Sequence, residues 1–107
     1  MLLKKIIIKI LFKLDANISN RILYKMLPIE FLRQKGARIG RGCRIYTEFC
    51  CTEPYLLTIG DNVSVGSGTE LITHDGAIWV LRHLKDKPNL DWFAPIEIGD
   101  NVFIGNG

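Results

Sequence analysis

Cysteine is scarce in this chain of 107 residues, and its arrangement argues against two common structural uses. The three cysteines are Cys43, Cys50 and Cys51, an odd number with two of them adjacent, which does not indicate a disulfide framework. The sequence also lacks the Cys-x-x-Cys pair that is typical of many metal sites. A protein without a disulfide framework suits a reducing compartment, so the sequence predicts a cytoplasmic location.

Strong net charge is lacking as well, since 14 Lys and Arg residues offset 11 Asp and Glu residues to leave +3 at pH 7. The aromatic residues are not interleaved with a basic patch, so no nucleic-acid partner is expected. Histidine is also rare. With only His74 and His83, the chain does not supply the three histidines of a histidine-ligated catalytic zinc site, and no metal is expected.

The third absence is that of a long apolar run: no apolar stretch in the sequence is long enough to span a bilayer. The first 14 residues, MLLKKIIIKILFKL, have a basic start, but lysines interrupt the apolar stretch and no small-residue cleavage site follows, as a signal peptide would require. Lys5, Lys9 and Lys13 recur every four residues opposite an apolar row, which predicts an amphipathic helix over residues 2–13. Two roles stay open for residues 1–14: packing on the protein or another chain, or peripheral contact with an anionic membrane on its inner face.

Two more short helices are expected before the chain changes character. A second helical stretch begins near the candidate N-cap Ser19. Pro28 suits the first turn of a third helix, and Gly36 suits its C-terminal end. We therefore divide the chain into an N-terminal helical segment, residues 1–36, and a β segment, residues 37–107.

In the β segment, aliphatic residues recur every six positions and are usually followed by glycine. Residues 59–73 read IGDNVS-VGSGTE-LIT, and residues 98–107 read IGDNVF-IGNG. A six-residue period fits neither a helical stripe nor an alternating strand. It is typical of repeats that bury their apolar faces only by stacking. The pattern predicts short parallel strands in stacked coils, with seven inward side chains: Ile39, Ile45, Ile59, Val65, Leu71, Ile98 and Ile104.

Between the two regular stretches, residues 75–97 are expected to form an excursion from the repeat. This segment contains both tryptophans and is too apolar to remain solvated. A long excursion between two in-phase repeats is usually functional or disordered, and the apolar content favours function.

The order GARIGRG, TIGDNVSVGSGTELITHDG, a loop, and APIEIGDNVFIGNG resembles the hexapeptide-repeat acyltransferases. It is most similar to the branch that O-acetylates sugars in polysaccharide synthesis, over about residues 28 to 107. The resemblance implies a mainly β fold, a left-handed parallel β-helix preceded by short N-terminal α-helices. It also implies a homotrimer, acetyl-CoA as co-substrate and a sugar or glycan acceptor.

The same resemblance implies that further coils follow in relatives, so the β-helix is expected to be incomplete at its C-terminus. The sequence therefore supports two hypotheses about function. The first is an acetyl-CoA-dependent sugar O-acetyltransferase. The alternative is an inactive truncated fragment, or a structural or oligomerisation module of the same fold.

His74 matches the position of the catalytic histidine in that family. A sugar hydroxyl is too weakly acidic to attack a thioester unaided, and imidazole exchanges protons near neutral pH, so His74 is predicted to be the general base. Asp91, four residues before Pro95, resembles the acidic residue that supports this histidine and is the second predicted catalytic residue. The alternative for Asp91 is a solvated loop carboxylate.

Five further residues are predicted to contact the substrates. Asp75, Trp79 and Trp92 are predicted to bind the acceptor, although the two tryptophans could simply anchor the excursion. Phe103 stands where many relatives carry a tryptophan near the donor, and with Gly105 it is predicted to contact acetyl-CoA. His83 lies among basic residues and is expected to be a solvated, non-catalytic histidine.

Overall fold

The computed structural model describes residues 1–11, 13, 16–47 and 50–107. Its first part consists of three helices: α1 (Leu2–Leu11), α2 (Ala16–Met26) and α3 (Pro28–Gln34). The helix predicted over residues 2–13 is thus described as far as Leu11, and residue 12 lies outside the described residues. Among the described residues, no helix combines the length and the apolar character needed to cross a membrane.

The boundaries of α3 follow from two residues with special backbone properties. Pro28 occupies the first turn, where the missing N–H has no partner to lose. Gly36 has a φ of 101°, the left-handed conformation that ends many helices. The Ala37 N–H then donates to the Leu32 carbonyl at 2.9 Å. This turn delivers the chain directly into the first strand, and both boundary predictions are confirmed.

The rest of the described residues contain six short strands and a fourth helix: β1 (Arg38–Ile39), β2 (Arg44–Ile45), β3 (Leu57–Ile59), β4 (Ser64–Val65), α4 (Ile78–Leu84), β5 (Ile96–Ile98) and β6 (Phe103–Ile104). They form two parallel sheets, ordered β1-β3-β5 and β2-β4-β6. A short 3-10 turn at Pro54–Leu56 leads into β3.

The register of these sheets aligns the aliphatic positions of the repeat. In the first sheet Ile39 lies opposite Ile59, which lies opposite Ile98. In the second sheet Ile45, Val65 and Ile104 align in the same way. Four of the seven residues expected to face inward are buried, and three are partly buried against the core: buried Ile45, Ile59, Val65 and Leu71, and partly buried Ile39, Ile98 and Ile104.

Close approach of the turns explains why glycine follows several of these aliphatic residues. A side-chain carbon on Gly60 would lie 2.8 Å from the backbone carbon of Gly99 and 2.9 Å from the Asp100 nitrogen. Asn62 and Asn101 both have a φ of 58°, and the Asn62 amide donates to the Asn101 side-chain oxygen at 2.9 Å. Successive turns therefore stack directly on one another.

The expected fold class, a mainly β left-handed parallel β-helix, is wrong. The described residues form a mixed α/β structure with four helices and two three-stranded parallel sheets. The six-residue pattern covers only part of the described chain, because α1, α2 and α3 precede it and α4 lies at the centre of the excursion. Each strand also ends after two or three residues, since the turns between repeats interrupt it. The division at residue 36 stays a prediction.

Candidate active site

His74 stands where both ends of the excursion meet. The Asp75 N–H donates to the Trp92 carbonyl at 3.2 Å, and the Ala94 N–H donates to the Thr73 carbonyl at 2.8 Å. Between these two bonds, His74 and Phe93 form an isolated antiparallel bridge. The excursion is therefore closed at its base, which fixes the backbone on both sides of the imidazole.

The imidazole of His74 is held by a carboxylate. Its Nδ1 lies 3.1 Å from Oε2 of Glu53, and the Thr52 hydroxyl oxygen lies 3.2 Å from the same nitrogen. The hydroxyls of Thr52 and Thr73 both donate to that same Glu53 oxygen. The Glu53 side chain is 15% exposed, whereas the His74 side chain is 42% exposed. One carboxylate oxygen thus contacts two hydroxyl donors and the half-exposed imidazole.

These donors lower the pKa of Glu53 to about 2. The Thr52 hydroxyl contributes most, followed by the Thr73 hydroxyl, while partial burial opposes them and His74 adds a smaller lowering effect. Glu53 therefore remains a carboxylate at neutral pH. A carboxylate beside Nδ1 accepts a hydrogen bond from Nδ1–H and so favours the form with the proton on Nδ1, which leaves the lone pair on Nε2. The arrangement presents His74 as a proton acceptor through Nε2.

A cavity of about 200 Å³ adjoins this imidazole. All five residues predicted to act in catalysis or acceptor binding line it, together with Arg82 and Phe93: His74, Asp75, Trp79, Asp91 and Trp92. Trp79 and Trp92 are 61% and 62% exposed, so both present wide aromatic surface at this site. The structure thus brings these five residues together, and their roles stay predictions.

Asp91 lies in the cavity wall, but it is paired with a cation and not with the imidazole of His74. Its Oδ1 accepts a bond from Arg82 Nη2, and Arg82 Nε donates to the Leu90 carbonyl at 2.7 Å. The carboxylate that contacts Nδ1 of His74 is that of Glu53. Asp91 is therefore tied to α4 by an ion pair.

Asp75 and His83 are engaged in the local structure of α4. Oδ1 of Asp75 accepts the Ala77 N–H at 2.9 Å, just before the helix begins. Nδ1 of His83 lies 3.0 Å from the Trp79 carbonyl, and the two rings are 4.6 Å apart. His83 does not line the cavity beside His74.

Phe103 and Gly105, predicted to contact acetyl-CoA, lie elsewhere. Phe103 is in β6 and is 76% exposed. The Gly105 carbonyl accepts a bond from the Thr69 hydroxyl at 3.1 Å. Neither residue lines the cavity beside His74. Their proposed role in donor binding stays a prediction.

Cysteine chemistry is disfavoured at this site although Cys51 lies close by. Burial raises the pKa of the Cys51 thiol, against smaller lowering effects from a Glu53 backbone bond and the Thr73 side chain. The thiolate is the nucleophilic form of cysteine, and a raised pKa makes it scarce at neutral pH. Cys51 therefore acts here as a packing residue.

Glu53 is the site residue that sequence reasoning missed. It lies in residues 51–58, where the six-residue pattern fails, so no periodic signal marks it. The strand register offers a usable signal. Residues paired between β1 and β3 are 20 positions apart in the sequence, and so are those paired between β2 and β4. Thr73 lies 20 positions after Glu53 and directly precedes His74. The side chains of Glu53 and Thr73 are hydrogen-bonded.

Fold and site together define a mixed α/β protein with a histidine–carboxylate pair beside a small cavity. The chain is 39% identical over 88 residues to "Protein CapG" of Staphylococcus aureus, a match that covers 79% of this chain and 50% of that protein. It is 30% identical over 87 residues to "Bifunctional protein GlmU" of Brevibacillus brevis, covering 73% of this chain and 17% of that protein.

The chain is thus related in sequence to both proteins and spans at most half of their length. No family model matches the chain. No solved structure matches it either.

Proposed function

We propose that the protein transfers an acyl group, acetyl from acetyl-CoA, to a hydroxyl of a sugar or glycan, with His74 as general base. The observation that carries the proposal is the 3.1 Å contact between His74 Nδ1 and Glu53 Oε2 beside a cavity. The resemblance of the repeats and of the ITHD segment to sugar O-acetyltransferases supports the choice of reaction. The sequence similarity to CapG and GlmU is consistent with it.

In the proposed reaction, Nε2 of His74 accepts the proton of the acceptor hydroxyl as its oxygen attacks the thioester carbonyl carbon. A C–O bond forms, and the tetrahedral intermediate then breaks its C–S bond. His74 returns the proton to the departing thiolate, so the imidazole is neutral again after each turnover. The products are the O-acyl sugar and the free thiol, with no other reactant consumed.

Glu53 positions this base and does not itself touch the substrates. Its carboxylate fixes the imidazole in the form with a proton on Nδ1 and stabilises the imidazolium that forms when Nε2 accepts a proton. The hydroxyls of Thr52 and Thr73 hold the carboxylate in place. The four side chains therefore form one hydrogen-bonded unit.

The 200 Å³ cavity is where we place the acceptor hydroxyl and part of its sugar ring. Trp79 and Trp92 offer exposed aromatic faces, which commonly pack against the apolar face of sugar rings. Arg82 and Asp91, paired in the cavity wall, offer polar contacts for further hydroxyls.

The experiment is to incubate the full-length protein with acetyl-CoA and a panel of nucleotide sugars and glycans while free thiol is measured. His74→Ala should lower turnover by about two to four orders of magnitude, the usual contribution of a general base. Glu53→Gln should lower it by about 10- to 1000-fold, as part of that contribution is lost. Lys25→Ala, at an exposed α2 position outside the cavity, is the control and should keep wild-type turnover. Near-normal turnover in His74→Ala would refute the assignment.

We also propose that the intact enzyme is a homotrimer, as the family resemblance implies. Support comes from bulky apolar side chains exposed on the excursion and β6: Trp79, Val80, Leu84, Trp92, Phe93 and Phe103. Such a surface is usual where protein chains meet. Sedimentation equilibrium of the full-length protein tests this, since a monomer at all concentrations would contradict it.

For α1 we propose peripheral contact with an anionic membrane. The helix buries Ile8 against the protein, whereas Leu2, Leu3, Ile6 and Ile10 are exposed. Its apolar face therefore points away from the protein and is flanked by lysines, the pattern of a helix that lies in a membrane interface. No acidic residue occurs in α1, so anionic lipid would be attracted along its whole length.

A further inference from the structure

A second cavity, the α4 cavity, has a volume of about 380 Å³ and lies along α4 and the turn that follows this helix. Five residues line it: Trp79, Arg82, His83, Asp86 and Pro88. Two of them, Trp79 and Arg82, also line the 200 Å³ cavity beside His74, so the two cavities meet at these side chains. The proposed reaction gives the α4 cavity no role.

The 200 Å³ cavity adjoins His74 away from Nδ1 and is small for a substrate. Glu53 and Thr52, which contact Nδ1, do not line it. Sites for small molecules usually have volumes of about 300 to 1,000 Å³. An acceptor with its hydroxyl at His74 therefore extends beyond this cavity. Trp79 is 61% exposed, so the wall that both cavities share does not close one off from the other.

The polar groups of the α4 cavity suit the hydroxyls of a sugar ring. Nδ1 of His83 lies 3.0 Å from the Trp79 carbonyl oxygen, which can only accept, so the neutral imidazole keeps its lone pair on Nε2. The exposed Asp86 carboxylate is a second acceptor. Arg82 has five N–H groups, and its bonds within the excursion use two of them. Sugar hydroxyls both donate and accept, and the indole of Trp79 suits the apolar face of the ring.

The same groups disfavour the diphosphate of a nucleotide sugar. The guanidinium of Arg82 is already paired with the carboxylate of Asp91. The Asp86 carboxylate would repel the phosphate charge. A neutral second sugar ring meets neither obstacle.

We infer that the acceptor is a glycan of at least two sugar rings, with the reacting ring in the 200 Å³ cavity and a neutral second ring in the α4 cavity. The inference rests on the proposed function, because it names the acceptor of the His74 reaction. Trp79 contacts both rings, whereas His83 and Asp86 bind hydroxyls of the second ring alone. A single sugar would leave the α4 cavity unused.

Acyl transfer from acetyl-CoA by the full-length protein tests the inference with glucose, galactose and N-acetylglucosamine as the sugars. Each sugar is supplied as its methyl glycoside, as the methyl glycoside of its disaccharide and as its UDP derivative. In a series that responds, the disaccharide should have a kcat/KM about tenfold or more above those of the other two forms, since it alone gains hydrogen bonds to the α4 cavity.

Two variants remove contacts that belong to the second ring alone. His83→Asn removes the Nε2 acceptor, and Asp86→Asn removes the charge while tolerating the φ of 50° at this position. Each should lower kcat/KM for the disaccharide by about two- to tenfold and leave that for the methyl glycoside unchanged. Lys85→Gln, at an exposed position that lines neither cavity, is the matched control and should behave as wild type does.

Binding without turnover is followed by fluorine NMR of protein labelled with 5-fluorotryptophan, with the Trp79 signal assigned from Trp79→Phe. The disaccharide should shift this signal in the wild type, at a higher concentration in Asp86→Asn. Such a shift without any acyl transfer would refute the proposed function and leave the second-ring site intact.

Three kinetic results would overturn the inference while leaving the proposed function intact: equal kcat/KM for methyl glycoside and disaccharide, preference for a UDP sugar over the disaccharide, or unchanged disaccharide kinetics in both variants. Neither a shift nor acyl transfer with any of these acceptors would overturn the inference and the proposed function together.

Discussion

At the scale of single residues, the site depends on one carboxylate oxygen. Oε2 of Glu53 accepts bonds from two hydroxyls and lies 3.1 Å from Nδ1 of His74. Thr73, one of the two hydroxyl donors, is 2% exposed, so its position is fixed by packing. The orientation of His74 is therefore set by buried and half-buried neighbours, as its proposed role as general base requires.

The lowered pKa of Glu53 predicts a specific pH dependence of stability. Its carboxyl has a pKa of about 2 in the folded protein against an ordinary value of 4.5. The stabilisation from this group is therefore complete above about pH 4.5 and is lost as pH falls towards 2. Glu53→Gln removes this titratable carboxyl. The free energy of unfolding of the variant should therefore fall less steeply between pH 4.5 and 2 than that of the wild type.

Urea unfolding at a series of pH values measures this difference. Between about pH 8 and 9, above the range in which carboxyl and imidazole groups ordinarily titrate, the two proteins should show the same slope, which is the internal control. Parallel slopes between pH 4.5 and 2 as well would show that Glu53 is not held by these donors in solution.

Sequence reasoning reached His74 but not Glu53, for a physical reason. His74 follows a regular repeat within a recognisable ITHD segment. Glu53 lies where the repeat is interrupted, and its closeness to His74 arises from the 20-residue step between stacked strands. Asp91 was predicted as the partner of His74 because of its position before Pro95. It forms an ion pair with Arg82 instead. The position of the Arg82 side chain depends on α4, a helix that the repeat pattern does not predict.

At the scale of elements, the strands follow from the sequence more directly than the helices of the excursion do. Every strand pair is parallel, and the aliphatic positions align as the six-residue period requires. Helix α4, IWVLRHL, begins with four consecutive apolar residues, so it lacks the one-sided apolar spacing from which a helix is usually recognised. The expected class was wrong because helices account for more of the described chain than the strands do.

Stacking of the turns predicts that Gly60 tolerates no side chain. A Cβ there would collide with the backbone of Gly99 and Asp100 and with the Asp100 carboxylate. Gly60→Ala should therefore reduce the free energy of unfolding by about 1–3 kcal/mol, the usual cost of overpacking. Gly76→Ala is the control, because nothing lies within 4 Å of its Cβ position, and it should change stability by less than about 0.5 kcal/mol. Equal effects, measured by urea unfolding, would contradict this stacking.

Helix α1 gives the second prediction at this scale. The full-length protein should float with vesicles that contain anionic lipid and remain unbound with neutral vesicles, because lysines flank the exposed apolar face. Ile6→Asn with Ile10→Asn should abolish flotation, since both side chains are exposed on that face. Ile18→Asn, exposed on α2, is the matched control. Flotation that survives the α1 double variant would rule out this surface.

At the scale of the whole molecule, helices and strands share one hydrophobic core. The buried cluster joins Leu23 and Leu32 of the helices to Leu57, Ile59 and Val65 of the sheets. The site lies along this core, since Cys50 and Cys51 belong to the same buried cluster and directly precede Thr52 and Glu53. The excursion, which begins directly after His74, supplies the wall of the 200 Å³ cavity.

The central claim is that Glu53 holds His74 with its proton on Nδ1, leaving Nε2 as the base. Nitrogen-15 NMR of the imidazole measures this directly at neutral pH. The account predicts that the neutral form of His74 carries its proton on Nδ1 in the wild type, and that Glu53→Gln shifts the population towards the form protonated on Nε2. A neutral His74 protonated on Nε2 in the wild type, or an identical spectrum in Glu53→Gln, would contradict it.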